Sequence, residues 1–139
     1  MTEWRDFIQV ILKDKLVEDV AVVGLYDNRA VWVAKPGGIL AAISPTEVEA
    51  LVGKDRGTLC RMGITLGGRK MVVIRDHMIG PESRPCFVDL RTKNGDGKAV
   101  TVARSTKALV IVIGKRGAHG GLVNKRVCDL AMDLKRRYL

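Results

Sequence analysis

Aromatic rings, histidines and cysteines are all scarce in this chain: two Trp, two Tyr, two Phe, two His and three Cys among 139 residues. Cys60, Cys86 and Cys128 are odd in number and far apart, with no C-x-x-C pair, which excludes a disulfide framework or a zinc knuckle and points to reduced thiols. His77 and His119 fit no metal or nucleophile signature with those cysteines, and Ser44, Ser83 and Ser105 lie in no nucleophile elbow. The glycine-rich stretch Gly114–Gly121 is not a phosphate loop, because Gly120 is followed by Gly121 and Leu122 where Lys and Ser or Thr are required. Neither an enzyme nor a cofactor or metal site is expected. No apolar run approaches the length of a membrane span, and Glu3, Arg5 and Asp6 interrupt the start, so neither a transmembrane segment nor a signal peptide is expected and the protein reads as cytosolic. The basic half holds only Phe87 and Tyr138 as aromatics, and both fit core or helix positions, so the interleaved rings of a nucleic-acid binder are missing.

Positive charge is plentiful and uneven. Residues 1–53 hold 5 Lys+Arg against 8 Asp+Glu, whereas residues 54–139 hold 19 against 7, which together give the net charge of +9. A basic face of that size suits a polyanion, an anionic lipid surface or an acidic protein, and equally a solvated surface that only confers solubility.

The last thirty-odd residues organise the rest. Ala108-Leu-Val-Ile-Val-Ile113 is a branched apolar run that ends at Gly114, the length of a central strand. After the glycine turn, Val123, Val127, Leu130, Ala131, Leu134 and Tyr138 recur at three and four residues, predicting a basic helix from Leu122 to about Tyr138. At the other end, Thr2 reads as an N-cap and Trp4, Phe7, Ile8, Ile11 and Leu12 as one helical stripe through about Lys13. Val20–Tyr26 and Ala30–Ala34 flank a turn at Asp27-Asn28-Arg29 and read as a β-hairpin. Ser44-Pro45-Thr46-Glu47 is a capping box for a short helix that Gly53 closes, with a second short helical turn expected between Lys54 and Met62. Strands are expected at 64–66, 69–77, 86–93 and 98–104, separated by Gly67-Gly68, Gly80–Pro85 and Asn94–Gly97. Short connections imply antiparallel neighbours. The class is therefore α+β, one domain over residues 1–139: a central antiparallel sheet with the N- and C-terminal helices on one face and short helices on the other.

Trp4 with Trp32, Val52-Gly-Lys-Asp-Arg56, Leu66-Gly-Gly68, Val73-Ile-Arg-Asp76, Leu90-Arg-Thr-Lys93 and Gly114-Lys-x-Gly-x-His-Gly-Gly121 followed by Asn124-Lys125 occur in one order over the whole chain. Together they resemble profilin of the vertebrate type, nearer the third vertebrate form than the ubiquitous one. The resemblance implies a monomeric, cytoskeleton-associated protein that binds monomeric actin, promotes exchange of actin's nucleotide and delivers monomers to proline-rich assembly factors.

Carried over by position, the family's actin face falls on Lys70, Ile74, Arg75, Arg91, Lys93, His119, Gly121, Asn124 and Lys125, continued by Cys128 and Asp129. Cys128 stands where the common form has tyrosine and Asp129 where it has glutamate. Losing a large ring from an interface costs about 2 kcal/mol, so weaker actin binding is expected. The polyproline site falls on Trp4, Phe7, Trp32 and Leu134, with Asp133 and Leu139 replacing a histidine and a terminal tyrosine. Tyr138, one residue early, lies roughly 100° round an ideal helix and compensates only where the C-terminus unwinds, so weakened polyproline binding is expected. The third implied partner is anionic phosphoinositide, held by Lys70, Arg91, Lys93, Lys135, Arg136 and Arg137. The alternative is a protein of the same fold, an adaptor or basic phosphoinositide-binding module, that has lost strong actin binding.

Overall fold

The computed structural model describes residues 2–81 and 83–139, with the Thr2 side chain outside that description. Helix α1 (Thr2–Leu12) is followed by strands β1 (Val17–Gly24) and β2 (Val31–Ala34), a 3-10 turn at Ile39–Ala42, and helices α2 (Pro45–Val52) and α3 (Arg56–Met62). Strands β3 (Ile64–Leu66), β4 (Arg69–His77), β5 (Cys86–Thr92), β6 (Ala99–Arg104) and β7 (Ala108–Gly114) follow, and α4 (Gly120–Arg136) completes the chain. Seven strands form one sheet in the order β2-β1-β7-β6-β5-β4-β3. Every neighbouring pair is antiparallel.

The unbroken apolar run of β7 has a direct cause. The strand lies between β1 and β6 with all seven residues buried, so neither face needs a polar residue. One face packs α1 and α4 through Ile8, Ile11, Val123, Val127, Ala131 and Leu134 against Val20, Val110 and Val112. The other packs α2, α3 and the 3-10 turn through Leu40, Val48, Leu51 and Leu59 against Val23, Val88, Leu109 and Ile111. The terminal helices thus share one face and the short helices the other, as the pattern of apolar residues predicts.

Local signals explain the boundaries. The Ser44 hydroxyl accepts from the Glu47 N–H while the Glu47 carboxylate accepts from the Ser44 N–H, completing the capping box of α2. Asp55 caps α3, and the Arg56 guanidinium makes two bonds to Asp76 on β4, at 2.8 and 2.7 Å. Thr2, expected as the N-cap of α1, is its first helical residue, and a capping role for its side chain lies outside the described residues, as does Glu82 of the expected loop Gly80–Pro85.

Helix α4 departs from expectation at both ends. It starts at Gly120 because the His119 imidazole caps it, Nδ1 accepting from the Gly121 N–H at 3.1 Å. It stops at Arg136 because Tyr138 takes a left-handed φ of +60°. The Leu139 N–H then donates to the Leu134 carbonyl and the Tyr138 N–H to that of Lys135, a Schellman ending built on a tyrosine where glycine is usual. Leu139 folds back onto the α1–α4 core, and its carbonyl accepts from the Lys107 N–H and the Ser105 hydroxyl.

Candidate functional site

Two surfaces of different chemistry emerge. The first lies where β4 and β5 meet the start of α4. Alternation along β5 turns Val88 and Leu90 into the core and leaves Phe87, Asp89 and Arg91 on the α4 side. An irregularity in β4 between Val73 and Arg75 breaks that strand's alternation, so that Arg75 pairs with Asp89 while Ile74 remains 55 % exposed beside it. Ile74, Arg75, Arg91, His119 and Gly121 consequently line one groove of about 260 Å³.

Asp89 is the hinge of this arrangement. Its Oδ2 accepts from Arg75 Nε and Nη2 at 3.1 and 2.8 Å, and its Oδ1 accepts from Thr101 Oγ1 at 2.8 Å and Asn124 Nδ2 at 2.9 Å. One carboxylate therefore joins β4, β5, β6 and α4, and it holds the Arg75 guanidinium 5.3 Å from the Phe87 ring centroid in cation–π range. The motif reading passed over Asp89. Strand alternation carries its signal, since it shares a face with Arg91, two residues on.

Lys93 follows β5, its N–H bonded to the Lys70 carbonyl at 2.9 Å, while Lys70 Nζ reaches the Met62 carbonyl at 2.6 Å. Lys125 pairs with Asp129 at 3.3 Å on the exposed side of α4. Cys128 differs from its expected place on this face: it is buried in the α1–α4 core, with Sγ 3.6 Å from Asn124 Oδ1. Burial, reinforced by the negative charge of Asp89 and Asp129, pushes its thiol up to about 12, so it stays protonated and unreactive as a nucleophile at neutral pH. The small buried thiol backs Asn124 from within.

The second surface joins α1 to β2. Trp4 meets Phe7 edge-on at 5.6 Å and Trp32 at 5.5 Å between ring centroids. Trp4 and Trp32, with Ile8, Leu12, Val33 and Pro36, line an open groove of about 390 Å³. Trp32 is fixed from the side, its Nε1 donating to Asp27 Oδ2 at 3.0 Å. That ring position depends on Gly24: a Cβ there would come 2.5 Å from Trp32 Nε1 and would also strike the Asp27 carboxylate.

Two residues assigned to this surface sit elsewhere. Leu134 is 1 % exposed and supports the helices from within. Tyr138 is 82 % exposed and lines a different groove with Tyr26, because the left-handed backbone that ends α4 turns its ring outward. The C-terminus does unwind, and it sends Leu139, not Tyr138, back to the core that Trp4 and Phe7 pack upon.

The six cations assigned to phosphoinositide also divide. Arg91 lies at the start of α4, 3.4 Å from where a Gly120 Cβ would be, with Lys70 and Lys93 nearby, whereas Lys135, Arg136 and Arg137 close the helix. At 1.5 Å per residue the two sets are about 24 Å apart along α4, too far for one headgroup. Arg136 and Arg137 both pair with Asp133. Among the described residues no cluster of three or more His, Cys, Asp or Glu can hold a metal ion, and no helix is long and apolar enough to cross a membrane.

A single antiparallel sheet that displays a charged face at one end of a terminal helix and a cluster of tilted tryptophans beside the other terminal helix defines a small recognition module with two separate surfaces. The profilin family model matches residues 2–138, and human Profilin-3 is 45% identical over 97% of both chains. Among solved structures, rat profilin 2a superposes with a TM-score of 0.93 at 36% identity, covering 99% of this chain and 98% of that one. Mouse profilin IIa, solved in complex with a double repeat from the FH1 domain of mDia1, superposes at 0.91 with 36% identity, covering 98% of this chain and 99% of that one. The chain belongs to the profilin family.

Proposed function

We propose that this profilin is an actin-monomer-binding regulator of actin polymerisation, and that the face built on β4, β5 and the start of α4 is where actin docks. The reading rests above all on Ile74, Arg75, Arg91, His119 and Gly121 lining one groove, with Asn124 and Lys125 on the following turn of α4. Cations on rigid strands meet an acidic partner at low entropic cost, and Gly120 and Gly121 bring the α4 backbone within reach of it. Promotion of nucleotide exchange on actin, and a cytoplasmic, cytoskeleton-associated location, follow from the same reading.

The aromatic surface of Trp4, Phe7 and Trp32 is the proposed seat of proline-rich assembly factors. A polyproline helix is stiff before it binds, and flat rings take it with little further ordering. Mouse profilin IIa, of the same fold, was solved with an FH1 repeat. Affinity is reduced here, because Tyr138 turns away from the cluster and Leu139 offers only an aliphatic edge. Phosphoinositide is proposed to use one cation set at a time; only the set of Lys70, Arg91 and Lys93 would compete with actin.

Titration with monomeric actin tests the main reading. A complex at micromolar actin that Arg75→Glu weakens at least about tenfold, as expected when a docking cation is reversed, is the predicted result. No complex at tens of micromolar would overturn it.

A further inference from the structure

We propose that the Asn94–Gly95 peptide is a site of spontaneous modification, where the Arg69 guanidinium assists deamidation of Asn94 and the carboxylate produced weakens the adjoining cation face. The loss of affinity rests on that face being the actin site; the modification does not. Of the three asparagines, Asn94 alone precedes a glycine, since Asn28 is followed by Arg29 and Asn124 by Lys125. The nucleophile in deamidation is the nitrogen of the following residue, and a glycine leaves that nitrogen unshielded by a Cβ.

The loop between β5 and β6 leaves both reacting groups available. Asn94 and Gly95 are exposed to water, and among the described residues neither the Asn94 side-chain amide nor the Gly95 N–H has a hydrogen-bond partner. Glycines at 95 and 97, with φ of +113° and +58°, let the backbone rotate without a side-chain penalty. Arg69 supplies the assistance. Its Nη2 donates to the Asn94 carbonyl at 2.9 Å and lies 3.3 Å from where a Gly95 Cβ would be, so a cation sits on the very peptide bond whose nitrogen reacts. Deprotonating that N–H places negative charge on the carbonyl oxygen, and a guanidinium bonded to the oxygen stabilises the anion as an oxyanion hole does. The nitrogen then attacks Asn94 Cγ, the Cγ–Nδ2 bond breaks, and the amino group leaves as ammonia with the proton taken up again from water. A second water opens the five-membered imide at either carbonyl, giving an aspartyl or a β-linked isoaspartyl residue, and in both the neutral amide has become a carboxylate. Asp96-Gly97 in the same loop is protected. A hydrogen bond from its own N–H, with the Lys98 ammonium beside it, holds the Asp96 carboxyl below its ordinary range, and an ionised carboxylate is a poor electrophile.

The product bears on binding because the loop is tied to the charged groove. Arg91, which lines that groove, donates through Nη1 to the Gly97 carbonyl at 2.8 Å, and Lys93 directly precedes Asn94. A carboxylate at position 94 lies beside Arg69 and Lys93 and opposes an acidic partner, and the extra backbone carbon of the isoaspartyl form shifts Gly97 against Arg91.

Peptide mass spectrometry of the full chain held near neutral pH, with labelling by an isoaspartyl methyltransferase, follows the amide-to-acid change at each asparagine. Asn94 should convert at least as fast in the folded chain as in urea. Arg69→Gln should slow the folded rate about fivefold, the rate equivalent of one hydrogen bond to the developing anion, without altering the rate in urea. A folded rate below that in urea, or one that Arg69→Gln leaves unchanged or raises, overturns the proposal. Asn94→Asp, which introduces the charge without the reaction, should weaken actin binding about threefold relative to the fresh chain. Equal affinity overturns the effect on the cation face. No actin complex with the fresh chain, while Asn94 still converts, sinks the docking reading and leaves the modification supported.

Discussion

Asp89→Ala should be among the most damaging single changes outside the apolar core, and the reason lies in what it leaves behind. The carboxylate satisfies Thr101, Asn124 and Arg75 at once, and its own side chain is only 13 % exposed. Thr101 is buried on β6, and a buried hydroxyl stripped of its acceptor costs about 1–3 kcal/mol. Asn124 loses its anchor to the sheet, about 1 kcal/mol more. Arg75 is half exposed and will find water, so its share is below about 1 kcal/mol. Together the loss is about 2–5 kcal/mol, or a fall in Tm of roughly 10 °C or more for a chain of this size. Urea unfolding followed by circular dichroism measures it, with the slope m unchanged. Double-mutant cycles separate the partners. Asp89→Ala should couple more strongly to Thr101→Val than to Arg75→Ala, because burial and not charge sets the cost. A loss below about 0.5 kcal/mol would mean that Asp89 is an ordinary solvated carboxylate, and the account of Arg75 as a positioned cation would fail with it.

Three further outcomes follow from the geometry. Gly24→Ala should displace the Trp32 indole, and the intrinsic fluorescence response to oligoproline should fall by at least about half while thermal unfolding shifts only a few degrees; an unchanged titration would remove Trp32 from the proline surface. Tyr138→Gly should stabilise the protein by about 1 kcal/mol, since glycine adopts φ near +60° without the strain a side chain incurs, and chemical denaturation reads the gain. Hydrogen bonds from the Arg56 guanidinium, opposed in part by burial, hold the Asp76 carboxyl below its usual range. The contribution of that pair is therefore fully present above about pH 4, the ordinary Asp value, and is lost as pH falls through the lower folded value. Arg56→Ala, which leaves Asp76 mostly buried, should cost about 2 kcal/mol at pH 7 and flatten the acid limb of the stability curve; an unchanged acid limb would show the pair to be idle.

Local chemistry made much of the fold legible. Ser44-Pro45-Thr46-Glu47 is a capping box in the sequence and in space, and the run 108–113, which its length marks as a strand over a helix, is a strand buried along its whole length. Helix ends were misread where backbone conformation, not pattern, decides them. Nothing in the apolar period says that His119 will cap α4 or that Tyr138 will accept a left-handed φ. The cation face was legible as a set of residues but not as a geometry. Whether Arg75 reaches the same side as Arg91 depends on the irregularity after Val73, a one-residue slip that no periodicity records. Asp89 was overlooked for a related reason, since an acid on a basic strand looks incidental until its three partners from β4, β6 and α4 are seen. Cys128 and Leu134 fall on surfaces by position in the family; the burial of Leu134 follows from the apolar stripe of α4, whereas Cys128, beside Val127, is buried at a position that stripe does not include.

The separation of the two surfaces constrains how partners can combine. The charged groove is anchored to β4, β5 and the first turn of α4, and the clustered rings to α1 and β2, so the two sites draw on different elements and share no side chain. Both are backed by the same rigid sheet, and Asp89 ties β4, β5 and β6 together and to α4 through Asn124. A partner on the rings therefore has no two-state element through which to alter the charged groove, and binding at the two should be additive to within about 0.5 kcal/mol. Oligoproline at saturation would then leave the dissociation constant for actin within about twofold of its value alone, measured by titrating each ligand in the presence of the other. A larger change in either direction would require a conformational link between α1 and β4 that this packing does not contain.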